Sequence, residues 1–221
     1  MIPAAAKTFV DEVFAALYAC TSATDVNHLL EDERLKGKRM DTKKYPPLAL
    51  TLTPEEVETL IEDDWLTEDG SFNSDRLKDC TCGPALKLFY AMAWKQGDLP
   101  KLAHIVHGIQ QKEPEGALPA KGTVFYQFGA HLADPQKESI IDQHVLRAYG
   151  IFKAEKANEK RIKRLRKMGQ LNAQWHRELA RDYREWIISE NGLQSALRQD
   201  SGYRYTVDQL LFALGKAVKA R

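Results

Sequence analysis

Cysteine is scarce in this chain: three thiols in 221 residues, at Cys20, Cys80 and Cys82, an odd count with no Cys-x-x-Cys spacing. That excludes a fully paired disulfide framework and fits a reducing, intracellular, cytoplasmic setting. Cys80-Thr81-Cys82 lacks the nearby Cys or His pair that a tetrahedral zinc site needs. His104 and His107, three apart, lack a third ligand, so no metal site is expected. No apolar run reaches 18 residues, and the N-terminal MIPAAAKTFVDEVFAAL carries Asp11 and Glu12 within its apolar stripe. Neither a membrane span nor a secretory leader is therefore expected. Alternating apolar and polar residues nowhere persist long enough for a strand. Proline is scattered rather than clustered, and 43% of the chain is hydrophobic, enough to bury a core.

What is present is helical periodicity from end to end, which predicts an all-α fold. Phe9, Val10, Val13, Phe14, Leu17 and Tyr18 recur at spacings of three and four. Thr53-Pro54-Glu55-Glu56 is a capping box with proline at the first helical position, leading into Val57, Leu60 and Ile61. Before it, Lys36 to Thr51 reads as an ordered loop, held extended by Pro46 and Pro47. Gly83-Pro84 opens an apolar helix that stops at Gly97, and its all-round hydrophobicity predicts burial at the centre of the fold. Asp98 is expected to cap the next helix, which breaks between Glu113 and Gly116. Past Gly150 a long charged helix is expected to reach Ser189 with an interruption at Gly169. A last helix is expected to be capped by Thr206 and to run from Val207 to Val218.

Charge is balanced overall but not along the chain. Through residue 80 there are 9 Lys/Arg against 17 Asp/Glu, and beyond it 23 against 14. The division suggests an acidic helical lobe, 1–82, and a basic part, 83–221, continuous with it or separate. A basic face binds a polyanion locally whatever the net charge, because salt limits the range of the field to about 10 Å.

The most informative stretch is ALPAKGTVFYQFGAHLADPQKESIIDQHVLRAYG, from Ala117 to Gly150. Leu118, Pro119, Gly122 and Thr123 form a tight turn before a helix, and Ile141, Asp142, His144, Val145 and Arg147 form a second block at the start of another. In order and spacing, over roughly residues 85 to 150, this resembles the helix-hairpin-helix DNA glycosylase superfamily. There a Leu-Pro-Gly-Val-Gly hairpin precedes Val-Asp-x-His-Val-x-Arg. The chain departs from that pattern at Ala120 and Lys121 within the hairpin. It departs again at Val124, where lyase-type members carry a nucleophilic lysine, and no four-cysteine cluster motif follows.

The resemblance implies an all-α helix-hairpin-helix glycosylase-like fold, duplex DNA as partner, no membrane, and no metal or organic cofactor. The implied reaction is monofunctional cleavage of the base–sugar bond in damaged or modified DNA, without lyase chemistry. The alternative is the same fold kept as a DNA-binding or protein-interaction module without catalysis. Asp142 is the implied catalytic carboxylate, stabilising positive charge on the sugar or directing water; an Asp at that position also serves as a plain N-cap. Lys121, Gly122 and Thr123 are candidate phosphate contacts, or an ordinary interhelical turn.

His144 and Arg147 share a helix face and either flank the pocket and backbone or pair internally, Arg147 with Glu138. In the run Lys153–Lys167, eight basic residues against Glu155 and Glu159 include Lys160, Arg161, Lys163 and Arg164. They read as a DNA-facing helix or as a solvated face. Tyr126 and Trp94 are candidates for stacking on an extruded base, or core aromatics.

Overall fold

The first helix, α1 (Pro3–Ala19), buries Phe9, Val10, Val13, Phe14 and Leu17 on one face, as their spacing requires. Our computed structural model describes residues 1–46, 48, 50–76, 83–112, 118–190 and 192–220. Cys80, Cys82 and the Glu113–Gly116 break lie outside these. Among the described residues the chain is helical, with one isolated bridge, Leu66 to Phe72. None of the described helices is long and apolar enough to cross a membrane.

The remaining α-helices among the described residues are α2 (Ala23–Leu29), α3 (Pro54–Glu62), α4 (Pro84–Gln96), α5 (Leu99–Ile109), α6 (Thr123–Ala133), α7 (Gln143–Lys153), α8 (Glu159–Arg166), α9 (Gln174–Ile188), α10 (Ser195–Gln199) and α11 (Tyr203–Ala217). They form two units, Met1–Ala49 with Gln136–Arg221, and Leu50–Pro135. The expected division near residue 82 is thus corrected: the N-terminal helices belong with the C-terminal ones, because their apolar faces close a single core.

In the discontinuous unit that core is aromatic. Phe14 stacks on Phe152 at 4.0 Å, and Tyr149 and Tyr183 meet Trp186 at 5.3 and 5.7 Å. The Trp186 indole N–H donates to the Tyr18 hydroxyl at 3.1 Å, so the polar atom is satisfied where the ring is buried. Helices α7 and α11 cross at Gly215, where a Cβ would overlap the His144 carbonyl. Arg166 ties the end of α8 to that of α11, its Nε donating to the Val218 carbonyl at 2.8 Å.

In the Leu50–Pro135 unit, α5 and α6 touch backbone to backbone through Gly108 and Gly129, where Cβ atoms would overlap the Tyr126 and Ile105 carbonyls. Val57, Leu66, Val106, Ile109 and Leu132 form the core. The Thr53 capping box forms as expected, Glu56 N–H reaching Thr53 Oγ1 at 3.3 Å and Glu56 accepting the Thr53 amide at 2.8 Å.

Four sequence expectations are corrected. Helix α4 ends at Gly97 in the left-handed region as predicted, but none of its residues is buried, and Leu88, Phe89, Met92 and Trp94 are half or more exposed. The Asp98 side chain accepts no helix amide and pairs with Lys101 instead. The long charged helix is three pieces, since Ala154 leaves helical geometry and Asn158 caps α8 afresh by accepting the Arg161 amide at 3.0 Å. Thr206 lies inside α11, its hydroxyl bonding back to the Gly202 carbonyl; the helix begins after Gly202 at φ 75°.

Gly215→Ala is expected to destabilise the protein by about 1–3 kcal/mol through overpacking at the α7–α11 crossing. Gly169→Ala, where nothing lies within 4 Å of a new Cβ, serves as the neutral control. Urea unfolding midpoints at constant slope measure the difference.

Candidate functional site

Asp142 is extended, at φ −129° and ψ 178°, and stands immediately before α7. Its Oδ1 accepts two amides, His144 N at 2.7 Å and Val145 N at 2.8 Å. Oδ2 takes no hydrogen bond from the described residues, so capping occupies one oxygen and leaves the other. Burial raises the Asp142 pKa above the ordinary carboxylate range, against the pull of those amides and of the Arg147 charge. The residue lines a cavity of about 380 Å³ with His144, Asp208, Gln209 and Phe212 among its walls. That volume is within the range of small-molecule sites.

His144 and Arg147 are coupled, three residues apart on α7. Arg147 is wholly buried, and its Nη1 lies 2.6 Å from His144 Nδ1. The same guanidinium donates to the Gly215 carbonyl at 3.1 Å and to the Met168 carbonyl. A guanidinium has only donors, so Nδ1 must accept; the ring is therefore neutral with its proton on Nε2. Burial first, then repulsion by Arg147, lowers the His144 pKa to about 4. Burial lowers Arg147 to about 10, which keeps it cationic at neutral pH. The Phe212 ring meets the His144 ring edge-on at 4.9 Å.

The expectation that Arg147 reaches a phosphodiester is thereby corrected: it is an interior clamp on the ends of α8 and α11. It does not pair with Glu138 either, which bonds Arg184 at 3.0 Å. His144 lines the cavity, as a neutral donor rather than a cation.

A second carboxyl, absent from the sequence expectations, shares this cavity. Asp208 is buried on α11, with Oδ2 accepting the Ile140 amide at 2.8 Å and Oδ1 accepting from the Tyr183 hydroxyl. Burial raises its pKa to about 8, and the Asp142 charge adds to the rise. The signal for it was available, an aspartate on the inward stripe of Val207, Leu210, Leu211 and Leu214.

The other expected site residues fall in both units. In the Leu50–Pro135 unit, Lys121 is exposed and Gly122 takes φ 68°, where a Cβ would also overlap the His104 ring. Thr123 is buried, its hydroxyl bonded to the Pro119 carbonyl at 2.9 Å, so its side chain closes the turn instead of facing outward. Tyr126 is 5% exposed, which corrects the expectation of a ring offered for stacking. Trp94 is 65% exposed on α4.

In the other unit, Lys160, Arg161, Lys163 and Arg164 are exposed on α8, over buried Ile162 and Leu165. Lys160, Arg161 and Arg164 border a cleft of about 720 Å³ whose far wall carries Glu178, Asp182 and Glu185. The Arg164 guanidinium lies 4.6 Å from the Trp175 ring. Comparison of the chain with protein-family models, with curated proteins and with solved structures gives no match.

The His144 ring is expected to keep one ¹⁵N tautomer pattern, Nε2 protonated, from pH 5 to 8, with no titration in that range. Its depressed pKa contributes stability that is complete above about pH 6.5 and lost as pH falls towards about 4. Arg147→Met is expected to raise the ring pKa and to lower stability by about 3 kcal/mol, because two carbonyls lose a buried donor. Proton-detected NMR and urea titration read the two effects.

Proposed function

We propose that the chain binds duplex DNA and hydrolyses the base–sugar bond of a damaged or modified nucleotide, with Asp142 as the working carboxylate. The observation that carries this reading is the division of labour at Asp142. Its Oδ1 holds the amides of α7 while Oδ2 takes no hydrogen bond from the described residues, and the residue lines a cavity together with the neutral His144 ring.

As the C–N bond lengthens, the base leaves with the bonding electrons and positive charge builds on the sugar. A carboxylate fixed by its own helix amides stabilises that charge with little rearrangement. It can also accept the proton of the water that attacks the sugar carbon, and partial burial, by raising its pKa, makes it a better base for that step. His144, protonated on Nε2, offers a hydrogen bond to an acceptor on the nucleotide across the physiological pH range. With valine at 124, no lysine stands there to form a Schiff base, which supports base release without strand cleavage.

Affinity would come from the phosphodiester backbone. The exposed side chains of Lys160, Arg161, Lys163 and Arg164 suit counterion release, moderated by the acidic wall opposite. At the hairpin, the N-terminus of α6 has no side-chain cap, and Lys121 is exposed beside it. Oriented amides next to a lysine suit a phosphate. A DNA-binding module without catalysis is the second reading, favoured by Ala120 and Lys121 in the hairpin.

Base release is to be assayed on a panel of duplexes bearing single damaged or modified bases. Asp142→Asn is expected to lower release by about 10²- to 10³-fold while leaving duplex affinity nearly unchanged. Release that survives in that variant would remove the mechanism, and duplex binding with no release on any substrate would leave the module. Alanine at both Lys160 and Lys163 is expected to reduce the slope of log affinity against log salt by about two. Absence of binding at low salt overturns both readings.

A further inference from the structure

Asp142 is delivered to its cavity by a short non-helical lead-in, Ser139-Ile140-Ile141, and this segment needs an anchor. Ile141 supplies part of it by burial, at 2% exposed. The rest comes from across the core. The Ile140 amide donates to Asp208 Oδ2 at 2.8 Å, and the Asp208 carboxyl is itself held by the Tyr183 hydroxyl from α9. We infer that Asp208 is a positioning residue for Asp142, its carboxyl fixing the Ile140 amide and thereby the placement of the Asp142 side chain in the shared cavity.

Three observations support this. The link is short, with one residue between the anchored amide and Asp142. It is enclosed, since Asp208 is 4% exposed and Tyr183 fully buried, so water does not replace either bond. The two carboxyls also line one cavity and interact electrostatically. For an amide acceptor alone, serine or asparagine would serve without placing a second acid beside Asp142.

The groups facing Asp208 are acidic or neutral. They are Asp142 and Ser139 from the lead-in and Tyr183 from α9, with Tyr45, Tyr205 and the neutral His144 ring lining the same cavity. Among the described residues no cation hydrogen-bonds it. Its pKa of about 8 keeps it protonated at neutral pH, so Asp142 carries the charge of the pair. Above that value Asp208 ionises and a second negative charge arrives beside the first. The sign follows from linkage. A carboxyl whose pKa is raised on folding contributes stability that is complete below about pH 4 and is lost as pH rises through about 8.

The test compares wild type with Asp208→Asn and Asp208→Ala, using aspartate labelled with ¹³C at the carboxyl and amide exchange at Ile140. Asp142→Asn assigns the Asp142 resonance. In wild type that resonance is expected to inflect a second time near pH 8, and the Ile140 amide to be protected. Asp208→Ala is expected to lose the protection and shift the resonance. Asp208→Asn, whose amide group accepts from Ile140 and donates to Tyr183, is expected to keep the protection and lose the second inflection. Unchanged Ile140 exchange and Asp142 titration in folded Asp208→Ala overturns the inference, as does a persisting inflection in Asp208→Asn. The asparagine variant decides the matter if the alanine variant does not fold.

The kinetic arm rests on the function proposed for Asp142. Asp208→Ala is expected to lower kcat for base release about ten- to a hundredfold with little change in KM, as displaced catalytic groups do. Asp208→Asn is expected to restore kcat relative to alanine and to flatten the alkaline limb of the pH profile. Wild-type protein that releases no base removes the proposed function and leaves the carboxyl and exchange measurements to decide the role of Asp208.

Discussion

A buried guanidinium organises one end of the discontinuous unit. Arg147 leaves water entirely and in return bonds the carbonyls of Met168 and Gly215 and the ring of His144. Those two carbonyls lie near the C-terminal ends of α8 and α11, where helices leave acceptors without intrahelical donors and where a cation is favoured. One side chain therefore satisfies two helix ends and sets the tautomer of a third residue. The bonds can form because Gly215 lets α11 approach α7 without a Cβ between them. A larger residue there would move the carbonyl that Arg147 needs.

The electrostatics of the cavity follow from that arrangement. Burial first, and then the arginine against it, keep the His144 imidazole neutral, whereas a carboxylate in the place of Arg147 would have favoured the charged ring. Asp142 feels opposing influences, burial raising its pKa while helix amides and Arg147 draw it down, with burial the stronger. Asp208 lies deeper and is bonded by no cation among the described residues, so burial dominates without opposition of that kind. Two residues of one type in one cavity thus differ in proton affinity because their surroundings differ. This is the condition under which two carboxyls take different roles.

Residues whose role is local were legible in the sequence. The Thr53 capping box, the glycine stop at Gly97, the turn at Gly122 and the Asp142 cap depend on a few neighbouring residues, and each forms. Expectations that required a partner fared otherwise. The apolar composition of α4 records a preference for burial, but burial needs a surface to pack on. Among the described residues, Leu86, Tyr90 and Ala93 on this helix face a cavity of about 680 Å³ while Leu88 and Trp94 stay open. Arg147 was misread for the converse reason, because a charged residue on a helix is normally solvated unless acceptors from distant elements converge on it. The grouping of the first two helices with the last five was hidden too, since charge along the chain carries no record of which apolar faces meet.

The sequence by itself determined that this protein is helical, where α3 and α4 start, that α4 stops at Gly97, and that a carboxylate caps the helix beginning at Gln143. Spacing and capping are short-range physics, complete within about one turn of chain. Only the tertiary structure decided what that carboxylate shares a cavity with. It set the histidine ring beside it neutral, turned Arg147 inward, and brought Asp208 from 68 residues away onto the amide of Ile140. Those outcomes depend on desolvation and on bonds between groups far apart in sequence, and both arise only when the helices pack.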